Sequence, residues 1–292
     1  MRVLVTGSTG FVGRALVPRL SAAGHEVRAV SRADHGDLAQ HVDWRPLVAG
    51  IDAVVHLAGQ AHATSTLPDE HYDRVNHRVT AELAAASHAA EVKRFVFVSS
   101  IRAQTGPVAP NVLDEESPAT PADAYGRSKL AAEAAIRATG IAHTILRPVL
   151  IYGPELKGNL AALRRLAARR MPLPFGAFHN RRSLLSLSGM SSAIELAISS
   201  LATKDQTFVI ADRAPIELRE IIAAFRAGAG RRPGLVPVPL AIMRAALRLV
   251  GGREIWERVG GELVVDPAKL IAAGWSPIYD TGTELARLAT RE

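Results

Sequence analysis

Five residues beginning at Tyr125, Tyr-Gly-Arg-Ser-Lys129, set a phenol and an ammonium four positions apart. On a helix, residues i and i+4 share a face, so the Lys129 charge can sit near the Tyr125 hydroxyl. The chain has only 4 Tyr among 292 residues, so chance seldom produces this spacing. A free phenol titrates near 10; making it a base at neutral pH takes a shift of roughly 3 units, about 4 kcal/mol. A cation in a partly dry site, helped by further positive charge nearby, supplies a shift of that order. The competing reading is an ordinary surface contact.

A second arrangement is Phe95-Val-Phe-Val-Ser99-Ser100, an apolar run that stops at two hydroxyls. Ligands of open α/β sheets bind outside the carboxyl ends of the strands, where a serine can hydrogen-bond a reacting carbonyl or alcohol. A turn or helix cap is the alternative use of such serines. The third arrangement is Gly7-Ser-Thr-Gly10-Phe-Val-Gly13. Glycines there permit a tight turn and close backbone approach to a pyrophosphate, and the following helix supplies aligned N–H donors. Its spacing departs by one residue from G-x-G-x-x-G, so its strength rests on position, between a strand and a helix.

The surrounding pattern supplies those elements. Residues 2–6 read as a buried strand, and 11–23 follow helical spacing through Val12, Leu16 and Leu20. The alternation continues with strands over 26–30, 52–57, 94–99, 141–146 and 207–211, and helices over about 70–90, 124–139 and 191–201. Continuously apolar strands separated by helices predict an α/β fold, a Rossmann-type doubly wound parallel sheet covered on both faces. The crossover between Ser31 and Asp52 is short and must be compressed. Beyond residue 212, Pro215, Pro233, Pro237 and Pro239 punctuate short helices and suggest a smaller mixed α/β C-terminal lobe. The predicted organisation is a dinucleotide-binding domain over 1–150, with 185–212 returning to it, and a substrate-binding lobe over 151–184 and 213–292.

Composition narrows the classes. Hydrophobic residues make 48% and charged residues 22%, the balance of a soluble globular protein. No uncharged apolar run approaches the roughly 18 residues of a membrane span, and the N-terminal run is too short for a signal-peptide core. With no cysteine, thiolate nucleophiles and zinc-thiolate sites are excluded. The expectation is a cytoplasmic protein with no metal and no membrane partner. Net charge is +7, and seven basic residues with no acidic one fall between Lys157 and Arg182. A nucleic-acid surface is one reading. The preferred one is a solvated face on an amphipathic helix marked by Leu160, Leu163 and Leu166, carrying Arg164, Arg165, Arg169 and Arg170, with no nucleic-acid partner.

Together the motifs resemble the extended short-chain dehydrogenase/reductases, specifically the nucleotide-sugar epimerase/dehydratase family. Asp52-Ala-Val-Val-His56-Leu-Ala-Gly59, Val75-Asn76, Leu146-Arg-Pro-Val-Leu-Ile-Tyr-Gly153 and Pro172-Leu-Pro-Phe-Gly176 extend the likeness nearly end to end. It implies Tyr125 as acid/base, Lys129 as its partner and Ser100, 25 residues before the tyrosine, as the third catalytic residue. It implies a dinucleotide site lined by Gly7, Thr9, Gly10, Phe11, Val12, Gly13, Asp43, Leu57, Ala58, Gly59, Asn76 and Pro148, with Tyr125 and Lys129 reaching the nicotinamide end. On the substrate side it implies contacts from Ser100, from Asn159 in Lys157-Gly-Asn159-Leu, from Leu173 and Phe175 beside a base, and from Arg182 on a diphosphate. A homodimer is a further implication of the family.

Departures from the family pattern narrow the chemistry. The 4,6-dehydratases carry an acidic pair directly after the active hydroxyl, where this chain has Ile101 and Arg102. The 3,5-epimerising members use a cysteine. Hydride chemistry at C4 of a UDP-sugar remains: reduction of a 4-keto sugar, or 4-epimerisation with tightly bound NAD. A reductase of non-sugar carbonyls and a non-catalytic dinucleotide sensor are the alternatives from other classes. NAD enzymes place an acid on the ribose 2′-OH at the end of the second strand. Here Ser31-Arg32 stands there and favours a 2′-phosphate, hence NADP(H), with NAD(H) as the alternative through Asp34.

Overall fold

The computed structural model describes residues 1–60, 67–156, 158–245 and 260–290. Strands β1 (Arg2–Thr6), β2 (Glu26–Val30), β3 (Ala53–His56), β4 (Arg94–Val98), β5 (His143–Pro148) and, after an excursion, Gln206–Ile210 form one sheet. Every pairing in it is parallel, and the spatial order is β2-β1-β3-β4-β5 followed by Gln206–Ile210. The sheet is therefore Rossmann-like, with one feature set by the short crossover. Between β2 and β3 the chain makes only two four-residue helices, α1 being Gly13–Ala22, α2 Arg32–His35 and α3 Arg45–Val48. No strand forms there, so β2 is the sheet edge. The order reverses beside β1, which puts the crevice between the carboxyl ends of β1 and β3.

Strand periodicity sorts side chains to the two faces. Val3 and Val5 join a core with Leu16 and Leu20 of α1, while Leu4 joins Val54, Phe95 and Phe97 on the other side. That second face is covered by α5 (Val79–Ala89) and α6 (Ala124–Thr139), with α4 being Asp69–Tyr72. The expected helix over about 70–90 is interrupted: Asp73–Arg78 is wound as a π-helix between α4 and α5. Such a widened turn shifts the register of the side chains that follow, and is common at functional sites.

Beyond β5, β6 (Leu150–Tyr152) pairs in parallel with Leu184–Ser186, and Arg181–Arg182 pairs antiparallel with Ile216–Glu217. Helix α7 (Gly158–Ala167), helix Leu218–Gly228 and the C-terminal helix Thr281–Ala289 surround a separate core of Tyr152, Leu160, Phe178, Ile222, Phe225 and Leu285. The helix expected at 191–201 starts earlier, at Leu187, because Ser186 caps it by accepting from the Gly189 N–H. Leu263, Val265, Leu270 and Trp275 pack into the sheet core beside Val3 and Phe208, although the sequence reading places 213–292 in the smaller lobe. Two backbone bonds, Ala109 N–H to the Glu262 carbonyl (2.9 Å) and Leu113 N–H to the Val264 carbonyl (3.0 Å), draw that segment back. Among the described residues, no helix is long and apolar enough to cross a membrane, and no group of three or more acidic or histidine side chains is placed to hold a metal.

Candidate active site

At the end of β1 the chain turns through Gly7 at φ +68°, a backbone region that side chains rarely adopt. A Cβ on Gly7 would lie 2.8 Å from the Ala58 nitrogen, and one on Gly13 would lie 2.4 Å from the Gly7 carbonyl oxygen. The loop is thus pressed against β3's exit on one side and against α1 on the other. Gly10 N–H closes the turn on the Gly7 carbonyl at 3.0 Å, and Thr9 and Gly10 are exposed. Val12 precedes α1 with no side-chain cap, and the Arg14 N–H bonds back to the Gly10 carbonyl at 3.0 Å. Phe11 packs near Gly153, where an added Cβ would meet its ring at 3.2 Å. A cradle that any side chain would fill, at an uncapped helix start, suits a dinucleotide pyrophosphate.

The opposite wall is tied together from beneath. Thr6 Oγ1 lies 2.7 Å from His56 Nδ1 and accepts from the Ala58 N–H at 3.3 Å; His56 Nε2 lies 3.0 Å from Thr80 Oγ1, which donates to the Asn76 carbonyl at 2.6 Å. This chain is fully buried, and burial, reinforced by the Lys129 charge, pulls the His56 pKa down to about 3. His56 is neutral and structural at neutral pH. Asn76, in the π-helical turn, accepts from Gln60 N–H (2.8 Å) and donates to Ser128 Oγ (3.1 Å) on α6. Gly59 takes φ +151°, and a Cβ on it would lie 2.7 Å from Asn76 Oδ1 and 3.7 Å from Lys129 Nζ. Leu57, Ala58, Gly59, Asn76 and Lys129 are therefore one cluster.

Helix α6 is set by Asp123, which accepts from the Gly126 N–H (2.8 Å) and receives the Arg102 guanidinium (2.5 Å). Gly126 lets the helix lie against the turn Ile101–Ala103: a Cβ there would sit 2.2 Å from the Arg102 carbonyl oxygen. That approach brings Tyr125 to Ser100, whose hydroxyl hydrogen-bonds the phenol. The two serines divide their work. Ser99 donates to Glu133 (2.6 Å), itself bound by Arg147 (2.6 Å), deep inside the sheet–helix interface. Ser100 faces Tyr125 and accepts from the Arg102 N–H (3.1 Å).

The electrostatics differ from the sequence expectation of a phenol acidified by Lys129. Burial is the dominant influence on Tyr125 and raises its pKa; the Ser100 hydrogen bond and Arg102 oppose this, while Asp123 and Tyr72 add to it. The Tyr72 ring stands edge-on to it at 6.4 Å. Lys129 donates to the Val98 carbonyl (3.1 Å) and sits 4.6 Å above the Phe97 ring, with burial lowering its pKa to about 8. Lys129 thus points at the end of β4 and the Gly59 wall, and burial keeps the phenol protonated. Pro148 ends β5, buried beside Ile210 in register. Sequence reasoning missed Asp123, Gly126, Arg102 and Tyr72. Asp123 and Gly126 were readable as a helix cap and a close-packed glycine; Arg102 and Tyr72 are brought in only by the fold.

Farther out, the structure gathers less. Ser31 caps α2, accepting from the Ala33 N–H (3.3 Å) and donating to Asp34 (2.9 Å), so its hydroxyl is shared with a carboxylate; Arg32 is exposed beside them. Asp43 is held in a two-bond pair by Arg45 (2.8 and 3.0 Å). Asn159 is exposed in the first turn of α7, and Lys157 lies outside the described residues. Leu173 is 2% exposed, bonded through its backbone to Gly234 and Val236, and the Phe175 ring lies 5.3 Å from that of Phe178, tilted by 47°. Arg182 is half-buried and donates to the Pro107 carbonyl (3.2 Å). Arg169 and Arg170 lie past the last residue of α7, so the four-arginine helix face is only a two-arginine one.

Comparison with known proteins agrees with this geometry. Residues 3–211 match the family described as the NAD dependent epimerase/dehydratase family. The UDP-glucose 4-epimerase of Vibrio cholerae is 31% identical, over 94% of this chain and 90% of that protein. A ceramide reductase of Caulobacter vibrioides is 29% identical over 96% and 80%. The structure of MoeE5 in complex with UDP-glucose and NAD superposes with a TM-score of 0.76 at 25% identity, covering 99% of this chain and 97% of that one. With the family match spanning most of the chain and these relatives aligned nearly end to end, the chain belongs to the NAD-dependent epimerase/dehydratase family of extended short-chain dehydrogenase/reductases.

Proposed function

We propose that the protein reduces a 4-keto group on a UDP-linked 6-deoxy sugar, with NADPH as its preferred cofactor. The observation that carries this reading is the Tyr125 phenol, buried, kept protonated and hydrogen-bonded to Ser100. A reduction needs an acid at the carbonyl oxygen, and a phenol that burial keeps protonated has a proton to give to the more basic alkoxide that forms there. Ser100 donates its own hydrogen to the same oxygen and fixes the carbonyl in line. Lys129, anchored on Val98, orients the ribose and places a positive charge near the oxygen that forms. A reduced nicotinamide dinucleotide, held by the glycine cradle and the Leu57–Gly59 wall, supplies the hydride.

Arg182 is assigned to the substrate diphosphate, because a half-buried guanidinium recognises phosphoryl oxygens in pairs. Asn159, Leu173 and Phe175 are assigned to the same substrate. Arg32 favours the 2′-phosphate of NADPH, against the neighbouring Asp34 carboxylate, whose hydrogen bonds from Ser31 hold its pKa below the ordinary value. That carboxylate and the Vibrio cholerae relative favour a second reading, a UDP-sugar 4-epimerase with resident NAD. The two differ in turnover. A reductase must exchange its cofactor every cycle, whereas an epimerase returns the hydride to the same sugar and retains it. Mass spectrometry of the denatured protein, with titrations of NADPH and NADH, separates them. Little bound dinucleotide and tighter NADPH binding are expected; stoichiometric NAD released from the wild type would overturn the reductase reading.

A further inference from the structure

The basic tract is not absorbed by the active site, and its structural role is more specific than a solvated helix face. A cavity of about 440 Å³ opens between the end of α7 and the loop after helix Leu218–Gly228. Arg169, Arg170, Arg226, Arg231 and Arg232 line it together with Pro172 and Gly234, and no lining residue is acidic.

The cavity is built around Arg226. This side chain is 4% exposed and donates only to carbonyls: Ala167 (3.3 Å), Arg169 (3.1 Å), Met171 (2.7 Å), Pro233 (2.7 Å) and Gly234 (3.0 Å). It thereby clamps the two loops that carry the other four arginines. Gly234, at φ +53°, is required for this, since a Cβ there would fall 2.4 Å from an Arg226 nitrogen. Arg231 adds a bond to the Ala168 carbonyl. Arg169, Arg170 and Arg232 are exposed at the mouth, and among the described residues no carboxylate pairs with them.

Arg226, with all five N–H donors taken by carbonyls, holds the loops, and the guanidinium groups of Arg169, Arg170 and Arg232 gathered at the mouth without a carboxylate among the described residues repel one another. An anion offsets that repulsion. Guanidinium forks match phosphoryl oxygens bidentately, and the cavity holds more than one such group. We propose that this pocket is a binding site for a ligand bearing two or more phosphoryl groups, separate from the crevice that holds Ser100, Tyr125 and Lys129. Its Gly234 edge accepts from the Leu173 N–H (3.0 Å), so it backs directly onto a segment assigned to the substrate. The phosphoryl groups can belong to a free solute or to headgroups of an anionic lipid surface, toward which the exposed Met171 would point.

The test is calorimetric titration of the full-length protein with inorganic pyrophosphate, with dinucleotide in excess so that the glycine cradle is occupied. A parallel arm sediments the protein with phosphatidylglycerol–phosphatidylcholine vesicles and with phosphatidylcholine alone. The variant Arg169→Ser/Arg170→Ser changes only exposed residues, and its fold is checked by retained dinucleotide binding. Saturable pyrophosphate binding that weakens about tenfold or more in this variant, and is untouched by Arg182→Ala, supports a soluble ligand. Sedimentation with the anionic vesicles alone, lost in the same variant without pyrophosphate binding, supports the headgroup. Binding that survives in the double variant, binding abolished by Arg182→Ala, or no binding in either arm overturns the proposal.

Discussion

The crevice and the smaller lobe are built on different principles. In the crevice, short stretches of chain are locked to one another: Gly7 against Ala58, Gly13 against Gly7, Gly59 against Asn76, Gly126 against the Arg102 carbonyl. Each contact leaves no room for a methyl group. In the lobe, the residues assigned to substrate are scattered: Asn159 on an exposed helix end, Leu173 sunk in a core, Arg182 resting on the Pro107 carbonyl. The first region, to which the proposed chemistry is assigned, is rigidly specified by these contacts. The second draws its residues from a helix end, a buried bridge and a short strand, with no comparable close contacts among the described residues fixing them to one another. Damage to the crevice should therefore abolish turnover, whereas damage to the lobe should alter affinity or specificity.

The largest effect is expected from Tyr125→Phe. Removing the proton donor should lower turnover by roughly 10²–10⁴ while dinucleotide binding persists. Steady-state kinetics beside a binding titration checks both halves, and unchanged turnover would break the assignment of the crevice. Next is Gly126→Ala, which puts a methyl group 2.2 Å from the Arg102 carbonyl oxygen. Overpacking of this kind costs about 1–3 kcal/mol of stability. Here it should also part Tyr125 from Ser100, so kcat should fall at temperatures where the variant remains folded by circular dichroism.

On the lobe side, Arg182→Ala should weaken UDP binding by about 2 kcal/mol, at the low end for a desolvated charge contact because Arg182 is only half-buried. Calorimetry reads this directly. No UDP binding by the wild type at millimolar concentration would favour a non-sugar carbonyl as substrate, in line with the ceramide reductase relative.

Acid titration separates the two regions by a stability effect on the crevice wall. His56 has its pKa lowered by burial from 6.5 to about 3. Between those values the unfolded chain binds the proton and the folded one does not, so stability rises with pH across this window and is lost on acidification. The slope from this group approaches about 1.4 kcal/mol per pH unit. His56→Gln, which keeps a side chain able to bridge Thr6 and Thr80, should flatten the acid limb of denaturant unfolding. An unchanged slope would show that His56 is not held neutral under the crevice wall.

Much of the crevice was legible because its chemistry lies in contiguous motifs. Gly7-Ser-Thr-Gly10 and Tyr125-Gly-Arg-Ser-Lys129 each fold locally, so the first closes its turn as its spacing implies, while the second sets Tyr125 and Lys129 on one helix but aims the ammonium at the Val98 carbonyl. The sheet was legible for the same reason, as continuous apolar runs mark strands buried on both faces. The phenol's environment was not. Its pKa is governed by burial and by Arg102, Asp123 and Tyr72, which only the packed fold assembles. Nor was the path of 263–275, whose return to the sheet core depends on pairing with residues about 150 positions away. The fate of Arg169 and Arg170 turned on a helix end, which periodicity places only to within a few residues.

Transfer of a labelled hydride reads out the proposed reduction at C4, with Tyr125 giving the proton. The protein is incubated with a UDP-4-keto-6-deoxyhexose and NADPH carrying deuterium at C4 of its nicotinamide, and the sugar product is read by NMR. One deuterium at sugar C4 per turnover is expected in the wild type, and almost none in Tyr125→Phe over the same time. A C4-inverted UDP-sugar formed from a 4-hydroxy substrate without label, by protein that retains its own NAD, would contradict it.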